Sequence, residues 1–388
     1  MSSDPVTSLY VHVPFCAQKC EYCAFYSESA DGRTVNRYVA ALVREMEFVA
    51  GDFKPETIFF GGGTPSLLNL RQWETIFDAM DRLGLLGAME WTVECNPATV
   101  SADKARLLRD HGVNRISMGV QSLDADLLSR LGRIHSREQV FKSFDILRAA
   151  GFDNLNLDLM FAIPGQTLQI WRDTLDQALA LGSEHLSTYE VIYEEDTPLF
   201  ARLNAGEFEV DEELACAMYE ELISRTSAAG FQQYEIANFA RNLPSASGPA
   251  RDVPDYACRH NVNYWRGGSF HGLGPSATSY VSGVRFRNWA STEFYCDCLE
   301  RGERAISTSE ELSGLGRAGE TAAFGLRMNA GWGFDEFERV TRFDLRDQWD
   351  KDMRCLVERG WAQRSSERIR LTPQGLRFAD AAAELFLR

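Results

Sequence analysis

Short apolar segments alternate with amphipathic stretches along the chain as far as about residue 200. Segments rich in branched and aromatic side chains predict β-strands at residues 8–13, 56–60, 90–95, 114–120, 154–160 and 185–191. Between them, apolar positions recur at helical spacing and predict helices at about 35–49, 71–82, 101–110, 136–150 and 167–181. This repeated strand–helix unit is typical of a parallel α/β sheet. The alternation alone does not separate an open doubly wound sheet from a barrel or a partial barrel.

The pattern changes after that point. It predicts a long acidic helix at 211–229, then a surface loop rich in Pro, Ser and Gly at 240–256, then a Gly-rich stretch at 265–283. From about residue 303 the pattern is mainly helical, and its end indicates helix, two short strands around a polar turn, and helix, which is the outline of a winged helix. Acidic and basic residues there are roughly balanced, so a packing module is favoured over DNA binding. The expected division is an α/β core at 1–240, a linker and Gly-rich segment completing the core at 241–302, and a C-terminal module at 303–388.

The composition narrows the classes of partner and compartment. A net charge of −16 repels phosphate backbones, which argues against nucleic acid as a main partner. The sequence has no apolar run long enough to span a membrane, and its first residues do not have the pattern of a signal peptide, so we expect a reducing cytoplasm. In that compartment, nine cysteines, an odd number, favour free thiols and metal ligation over a disulfide framework.

Three of these cysteines, Cys16, Cys20 and Cys23, lie within eight positions. A closed zinc site needs four protein ligands, and this segment supplies three. His12 is a candidate fourth ligand, so a zinc site and three buried structural thiols are both open alternatives. The favoured interpretation is a 4Fe–4S cluster held by three thiolates, because the iron without a protein ligand is then open to a substrate or cofactor.

The spacing Cys-x3-Cys-x2-Cys, with Tyr22 before the last cysteine, resembles the signature of radical S-adenosylmethionine (SAM) enzymes. In that family SAM chelates the open iron, and an electron from the cluster splits SAM into methionine and a 5′-deoxyadenosyl radical. The resemblance implies that Cys16, Cys20 and Cys23 hold the cluster and that a reductant supplies it with electrons. It also implies a parallel partial (β/α) barrel followed by a mainly helical, winged-helix-like module.

A glycine run, FFGGGTPS, follows the second predicted strand. Glycines allow backbone to approach a ligand closely, although a tight turn is an equally good interpretation of the run alone. By resemblance, Gly62, Gly63 and Thr64 bind the methionyl amino group of SAM. Polar residues at the carboxyl ends of later strands suit the ribose, amino and carboxylate groups of SAM, with a helix cap or local ion pair as the alternative for each. In the coproporphyrinogen-oxidase-like branch of the family, the matching SAM contacts are Tyr10, Glu94, Gln121, Arg133, Asp158 and Thr278.

Two features distinguish activities within this branch. The oxygen-independent coproporphyrinogen III dehydrogenases carry one more cysteine where this chain has Phe25, and they have a longer segment before the first strand. Residues 258–265, CRHNVNYW, resemble a run associated with heme binding in the heme chaperones of the branch. His260 is a candidate axial ligand of heme iron, with Tyr264 and Trp265 as flat apolar surface. There are two alternatives: His260 is a core residue among packed aromatic side chains, or Cys258 is the ligand. The loops that flank the run predict that the site is exposed and adjustable.

The sequence therefore predicts a radical SAM family heme chaperone, a resemblance that covers essentially the whole chain. Its cofactors would be a 4Fe–4S cluster, SAM and heme. Its partner would be an apo-hemoprotein, such as a membrane-bound respiratory cytochrome, that accepts the heme. A coproporphyrinogen III dehydrogenase and a related radical SAM methyltransferase are the alternatives, and no catalytic residue is assigned.

Overall fold

The computed structural model describes residues 5–29, 31–51, 53–243 and 252–388. Its centre is a parallel sheet whose strands alternate with helices, as the sequence pattern predicts. The parallel strands are β1 (Ser8–Val13), β2 (Thr57–Gly62), β3 (Glu90–Cys95), β4 (Arg115–Gln121), β5 (Leu155–Phe161) and β6 (His185–Glu190). The helices between them are α1 (Gly32–Val49), α2 (Leu70–Arg82), α3 (Ala102–Asp110), α4 (Ala125–Arg130), α5 (Arg137–Ala149) and α6 (Leu168–Ala180), with short 3-10 turns at Pro65–Leu67 and Pro97–Thr99.

Further strands extend the sheet at both edges. They are β7 (Gln232–Glu235), β8 (Asn238–Ala240), β9 (Phe270–Leu273), β10 (Thr278–Val281), β11 (Val284–Asn288) and β12 (Ile306–Glu311), accompanied by helices α7 (Pro198–Asn204), α8 (Glu212–Ala228), α9 (Arg259–Trp265) and α10 (Thr292–Glu300). The order across the sheet is β12-β11-β10-β9-β1-β2-β3-β4-β5-β6-β8-β7. Strand β9 pairs parallel to β1, with Tyr10 opposite Gly272, so the Gly-rich segment is part of the sheet. Of the predicted surface loop at 240–256, residues 244–251 lie outside the described residues.

The two faces of the parallel strands differ in chemistry. On β1, Leu9, Val11 and Val13 are buried in the apolar core against the helices, whereas Ser8, Tyr10 and His12 alternate with them and face the interior of the partial barrel. Parallel strands covered on both faces are usually apolar throughout, so a polar interior is unusual. The polar side chains on the alternating interior positions of the other strands are Thr57, Glu90, Thr92, Arg115, Ser117, Asn156, Asp158, His185 and Ser187.

Helix starts in the core are fixed by side-chain caps. The side chains of Asn69 and Ser136 each accept a hydrogen bond from the backbone N–H three residues on. The side-chain oxygens of Gln72 and Gln139 accept in turn from the backbone N–H groups of Asn69 and Ser136, which completes two capping boxes. Each box satisfies backbone donors that the first helical turn leaves unpaired. These caps explain why α2 and α5 begin within a residue of the positions that the periodicity predicts.

The C-terminal part has its own apolar core, which includes Trp332, Phe337, Trp349 and Phe386. Its elements are α11 (Gly314–Gly325), β13 (Trp332–Gly333), α12 (Phe334–Thr341), α13 (Leu345–Gln348), α14 (Asp350–Glu358), β14 (Ala362–Arg364), β15 (Arg368–Leu371), α15 (Pro373–Leu376) and α16 (Ala379–Glu384). A helix, two paired strands and a further helix reproduce the predicted winged-helix outline. Within the described ranges, every helix is too short or too polar to cross a membrane.

Candidate functional site

The segment that carries the three cysteines leaves the carboxyl end of β1 and lies over that end of the sheet. The Cys16, Cys20 and Cys23 side chains are all half-buried free thiols. The segment is attached to its neighbours by main-chain bonds, since the Glu21 N–H donates to the Leu131 carbonyl at 3.1 Å. The loop after β1 is therefore joined to the end of α4 above the polar interior of the partial barrel.

The donor chemistry of this segment fits an iron–sulfur cluster. Burial raises the pKa of Cys23, and the charges of Cys20 and Cys16 raise it further, so the three sulfurs lie close enough to repel as thiolates. The Cys16 Sγ also lies 3.5 Å from the Thr64 hydroxyl. In the described part of the chain, no three His, Cys, Asp or Glu side chains already surround one metal position. The fit therefore rests on three neighbouring thiols, which are the ligands that such clusters take.

His12, the candidate fourth zinc ligand, has both ring nitrogens engaged. Its Nδ1 lies 3.0 Å from the Tyr10 hydroxyl and its Nε2 lies 2.8 Å from the Tyr26 carbonyl. Burial also lowers the pKa of His12, so the ring is neutral. A zinc site would have to take His12 from two buried hydrogen bonds, which argues against that alternative.

The backbone of the glycine run passes in direct contact with the backbone that follows β1. The N–H groups of Gly63 and Thr64 donate to the carbonyls of Val13 and Phe15 at 2.8 and 2.7 Å. A Cβ on Gly63 would lie 2.7 Å from the Phe15 oxygen, and one on Gly62, whose φ is +103°, would lie 2.4 Å from the ring of His12. Glycine is therefore required for this approach. A protonated ligand amine donates hydrogen bonds, so the groups of this run that suit it are carbonyls.

Two carboxyl groups lie inside the partial barrel, Glu94 near the carboxyl end of β3 and Asp158 in the middle of β5. Glu94 accepts a hydrogen bond from the Gly62 N–H at 3.2 Å, and burial, followed by the charge of Asp158, raises the pKa of Glu94 to about 8. Burial also raises the pKa of Asp158, although Asn156 and Ser117 donate to its oxygens at 2.7 and 3.2 Å. Two neighbouring acids with raised pKa values favour a cationic ligand between them.

Arg133 extends from the loop between α4 and α5 towards the cysteine segment. Its guanidinium donates to the Gly119 carbonyl at 2.5 Å and to the Cys20 sulfur at 3.6 Å, while its buried Nε has no partner among the described residues. Gln121 has a left-handed backbone with φ of 63°, and a Cβ on Gly119 would lie 3.2 Å from Arg133 and 3.3 Å from the Gln121 amide. The structure therefore brings Arg133 and Gln121 together beside the cysteines.

Tyr10 and Thr278 lie at the other side of the site. The Tyr10 ring is inside the partial barrel, and burial raises its pKa, with a further contribution from the Glu94 charge. Thr278 begins β10, which is separated from β1 by β9. Charge interactions link Tyr10 to Glu94 and Glu94 to Asp158, whereas Thr278 lies two strands away from Tyr10.

Sequence reasoning missed several polar residues of this interior. Ser117 and Asn156 donate hydrogen bonds to Asp158, and Tyr189 lies at the end of β6 with 42% of its surface exposed. Arg115 is buried below them and donates to Thr92 at 3.4 Å. The signal was available, because each of these residues occupies a polar position that recurs with period two in an otherwise apolar strand.

The expectation that the His260 run is exposed is wrong. It forms α9, which packs against the amino ends of β1 and β2, and His260 is only 1% exposed. Thr57 donates its hydroxyl to Ser8, so the bond of 2.9 Å between His260 Nδ1 and Thr57 has His260 as donor, and Nε2 then accepts from the Tyr264 hydroxyl at 2.7 Å. Burial lowers the pKa of His260 to about 3.

The neighbours of His260 are also packed inside. Glu90 accepts hydrogen bonds from the N–H groups of Arg259 and His260 at 2.9 and 3.0 Å, and from the Cys258 thiol at 3.6 Å. Trp265 lies 6.3 Å from the Phe324 ring of the C-terminal module. The run therefore closes the amino end of the partial barrel, because α9 is held there by its hydrogen bonds to Glu90 and Thr57.

Comparison with known proteins adds to this geometry. Residues 10–178 match the Radical SAM superfamily. The chain is 34% identical over 380 residues to a protein of Bacillus subtilis named heme chaperone HemW, which covers 95% of this chain and 96% of that protein. It is 37% identical over 283 residues to the Escherichia coli protein of the same name, covering 72% and 71%.

A solved structure shows the same fold. The coproporphyrinogen III oxidase HemN of Escherichia coli, described as a radical SAM enzyme, superposes with a TM-score of 0.83 and covers 99% of this chain and 90% of that chain. The identity of that pair is 21%, so this likeness concerns the fold. It agrees with the parallel partial barrel and C-terminal module described above.

Proposed function

The chain belongs to the radical SAM superfamily and, within it, to the family of the HemW heme chaperones, and on this premise we propose that it binds heme and delivers it to apo-hemoproteins. The observation that carries the proposal is the identity of 34% to a curated heme chaperone along nearly the full length of both chains. A match of that extent includes the C-terminal module as well as the radical SAM core.

The cofactor site supports a bound cluster and SAM. We propose that Cys16, Cys20 and Cys23 hold the 4Fe–4S cluster, which when bound supplies an electron to SAM. The carboxyl groups of Glu94 and Asp158 suit the ribose hydroxyls and the α-amino group of SAM, and Arg133 offers a guanidinium to its carboxylate. The remaining proposed contacts are Tyr10, Gly62, Gly63, Thr64, Gln121 and Thr278.

Phe25 supports delivery of heme over coproporphyrinogen oxidation. It occupies the position at which the dehydrogenases of the branch have a further cysteine, and its side chain is 69% exposed beside the proposed cluster. A large exposed aromatic residue supplies no thiolate at that position, and it extends the apolar surface near the open end of the partial barrel.

The resemblance also implies His260 as the axial heme ligand. For that role Nε2 is the nitrogen that heme iron would approach, so the Tyr264 hydroxyl must leave it, whereas the hydrogen bond from Nδ1 to Thr57 can stay. Because His260 is only 1% exposed, the proposal also requires the packing around Tyr264 to open and admit heme.

We further propose that the acceptor is a respiratory cytochrome, that a cellular reductant supplies the cluster, and that the protein acts in the cytoplasm. These statements are supported by the resemblance and by the free thiols, which suit a reducing compartment.

The test uses the full chain after anaerobic reconstitution with iron and sulfide. We expect saturable heme binding at a defined stoichiometry, and no protoporphyrinogen from coproporphyrinogen III, SAM and a reductant. Formation of protoporphyrinogen at the rate of a working enzyme would contradict the proposal, as would heme binding that never saturates.

A further inference from the structure

A continuous chain of hydrogen bonds crosses the interior of the partial barrel and ends at Asp158. Its first link is the N–H of Cys258, the N-cap of α9, which donates to the Tyr234 hydroxyl at 3.1 Å. That hydroxyl lies 2.8 Å from His185 Nε2, and His185 Nδ1 lies 2.6 Å from the Asn156 oxygen Oδ1. The Asn156 amide nitrogen then donates to Asp158 at 2.7 Å. The four residues before Asp158 are each at most 1% exposed, so protein groups decide how every bond is directed.

The direction of each bond follows from the first link. A backbone N–H can only donate, so the Tyr234 hydroxyl accepts from Cys258 and donates its own proton to His185 Nε2. Burial and the charge of Arg115 lower the pKa of His185, so its ring is neutral and has one proton, which is on Nδ1. His185 Nδ1 therefore donates to Asn156, whose oxygen faces the ring and whose NH2 group faces the other way.

His185 is the donor that decides the orientation of the Asn156 amide. The Ser187 hydroxyl lies 3.1 Å from the same Oδ1, but it has a single proton and lies closer, at 2.7 Å, to Oδ1 of Asn238. An amide turned by half a rotation would fill the same space and present its oxygen to Asp158. The bond from His185 excludes that orientation, because the Nδ1–H would then meet an NH2 group, which cannot accept.

The orientation of the amide matters at Asp158, a proposed SAM contact. The NH2 group of Asn156 and the hydroxyl of Ser117 donate to the Asp158 carboxyl and oppose the burial that raises its pKa. They therefore favour the ionised carboxyl, which accepts the hydrogen bonds that ribose hydroxyls and an amino group donate. A reversed amide would place an oxygen against the carboxyl, favour its protonation and remove an acceptor from the site.

We propose that His185 and Tyr234 are positioning residues of the SAM site, which keep Asp158 an acceptor for SAM by fixing the orientation of the Asn156 amide. Both residues act through Asn156 and neither contacts SAM. The inference rests on the proposed function, since it requires the proposed contact between Asp158 and SAM. Because the Cys258 N–H directs the Tyr234 hydroxyl, SAM affinity also depends on where α9 starts.

Equilibrium binding of SAM by the reconstituted full chain tests this role. His185→Leu removes the donor and should weaken SAM binding about tenfold. His185→Asn can place its amide nitrogen near the position of Nδ1, so its SAM affinity should stay within about threefold of that of the parent. Tyr234→Phe removes only the hydroxyl and should weaken SAM binding by a smaller factor than His185→Leu. Leu186→Val is the matched control, because Leu186 lies on the opposite, apolar face of β6, and this variant should bind SAM as the parent does.

A double-mutant cycle separates a positioning role from a merely structural one. In the Asp158→Ala background, His185→Leu should have no further effect on SAM affinity, because its effect passes through the carboxyl that is now absent. An equal loss in both backgrounds would overturn the positioning role, as would parent-like SAM affinity in His185→Leu or a loss in His185→Asn as large as in His185→Leu. If His185→Leu does not fold, Tyr234→Phe in the two backgrounds decides the question in the same way.

The outcomes also separate this role from the proposed function. If the parent binds no SAM, or if Asp158→Ala binds SAM as the parent does, the proposed SAM contact is wrong and the positioning role is overturned with it. If Asp158→Ala weakens SAM binding and the His185 and Tyr234 variants do not, the positioning role alone is overturned. Heme binding by the parent, titrated separately, decides the chaperone function in each case.

Discussion

The Nδ1 atom of His260 lies 2.9 Å from the hydroxyl oxygen of Thr57, the first residue of β2. The cysteine segment follows the carboxyl end of β1, so the two proposed ligand regions lie at opposite ends of the partial barrel. Between them lies Tyr10, whose ring centroid is 6.5 Å from that of His260 and whose hydroxyl is 3.0 Å from His12. A link between heme and SAM would therefore pass through the polar interior.

Replacing His260 should destabilise the fold without removing the cluster. His260→Ala leaves the hydroxyls of Thr57 and Tyr264 without their partner and opens a cavity, which together cost about 2–4 kcal/mol of unfolding free energy. Urea denaturation of the apo-chain measures that loss, and iron content after reconstitution should equal that of the parent. Parent-like stability of the variant would show that α9 does not depend on this ring.

The low pKa of His260 also makes the free energy of unfolding depend on pH. The unfolded imidazole takes up a proton below about pH 6.5, whereas the folded one does so only near pH 3, so folding becomes less favourable as the pH falls between these values. We expect His260→Gln to reduce the slope of unfolding free energy against pH in that interval. An unchanged slope would mean that His260 is not neutral and buried in solution.

The three cysteines should be required together for the cluster. Cys20→Ala removes one of three ligands, so anaerobic reconstitution should yield far less than the parent's roughly four iron atoms per chain. Cys216→Ala is the control, because Cys216 is an exposed free thiol on α8, and it should retain full iron content. Full cluster content in the Cys20 variant would remove that residue from the ligand set.

Gly63 should tolerate no side chain. A Cβ there would lie 2.7 and 2.8 Å from the Phe15 and Val13 carbonyl oxygens, which belong to backbone and cannot rotate away. Gly63→Ala should therefore displace the start of the cysteine segment and lower both SAM affinity and cluster yield. Gly84→Ala is a useful control, because open space surrounds Gly84 and only its positive φ is strained. Equal behaviour of the two variants would contradict the close crossing.

SAM affinity should rise with pH because of Glu94. With a pKa of about 8, the carboxyl is mostly protonated near neutral pH, and the SAM cation favours its ionised form. The ionised fraction increases roughly tenfold from about pH 7 to pH 9, and SAM affinity should increase in proportion. Equilibrium binding at several pH values measures this, and Glu94→Gln should flatten the profile. A pH-independent affinity in the parent would place Glu94 outside the SAM site.

The alternation of apolar segments was enough to predict the central architecture. The strand at 8–13 and the helix at 71–82 were located to within one residue, because burial of β1 and α2 requires periodic apolar positions and capping residues mark the helix start. The winged-helix outline followed in the same way from two short strands around a polar turn.

Other features could not be predicted from pattern alone. Strand β12 is mostly exposed and polar, so its pairing with β11 depends on backbone bonds that leave no apolar period. The burial of His260 could not be predicted either, because a helix as short as α9 has too few residues for its apolar positions to show which face is buried. Its neighbour Glu90, more than 150 residues away in sequence, fixes the helix by accepting its first N–H groups.

Transfer of heme is the measurement that tests the central claim most directly. The reconstituted full chain, loaded with one equivalent of heme, is mixed with a soluble apo-cytochrome domain, and the absorption spectrum of the acceptor is followed over time. The account predicts that the acceptor spectrum appears faster than it does from the same heme bound to serum albumin, with the chain recovered free of heme. Transfer no faster than from albumin, or heme retained by the chain in the presence of excess acceptor, would contradict it.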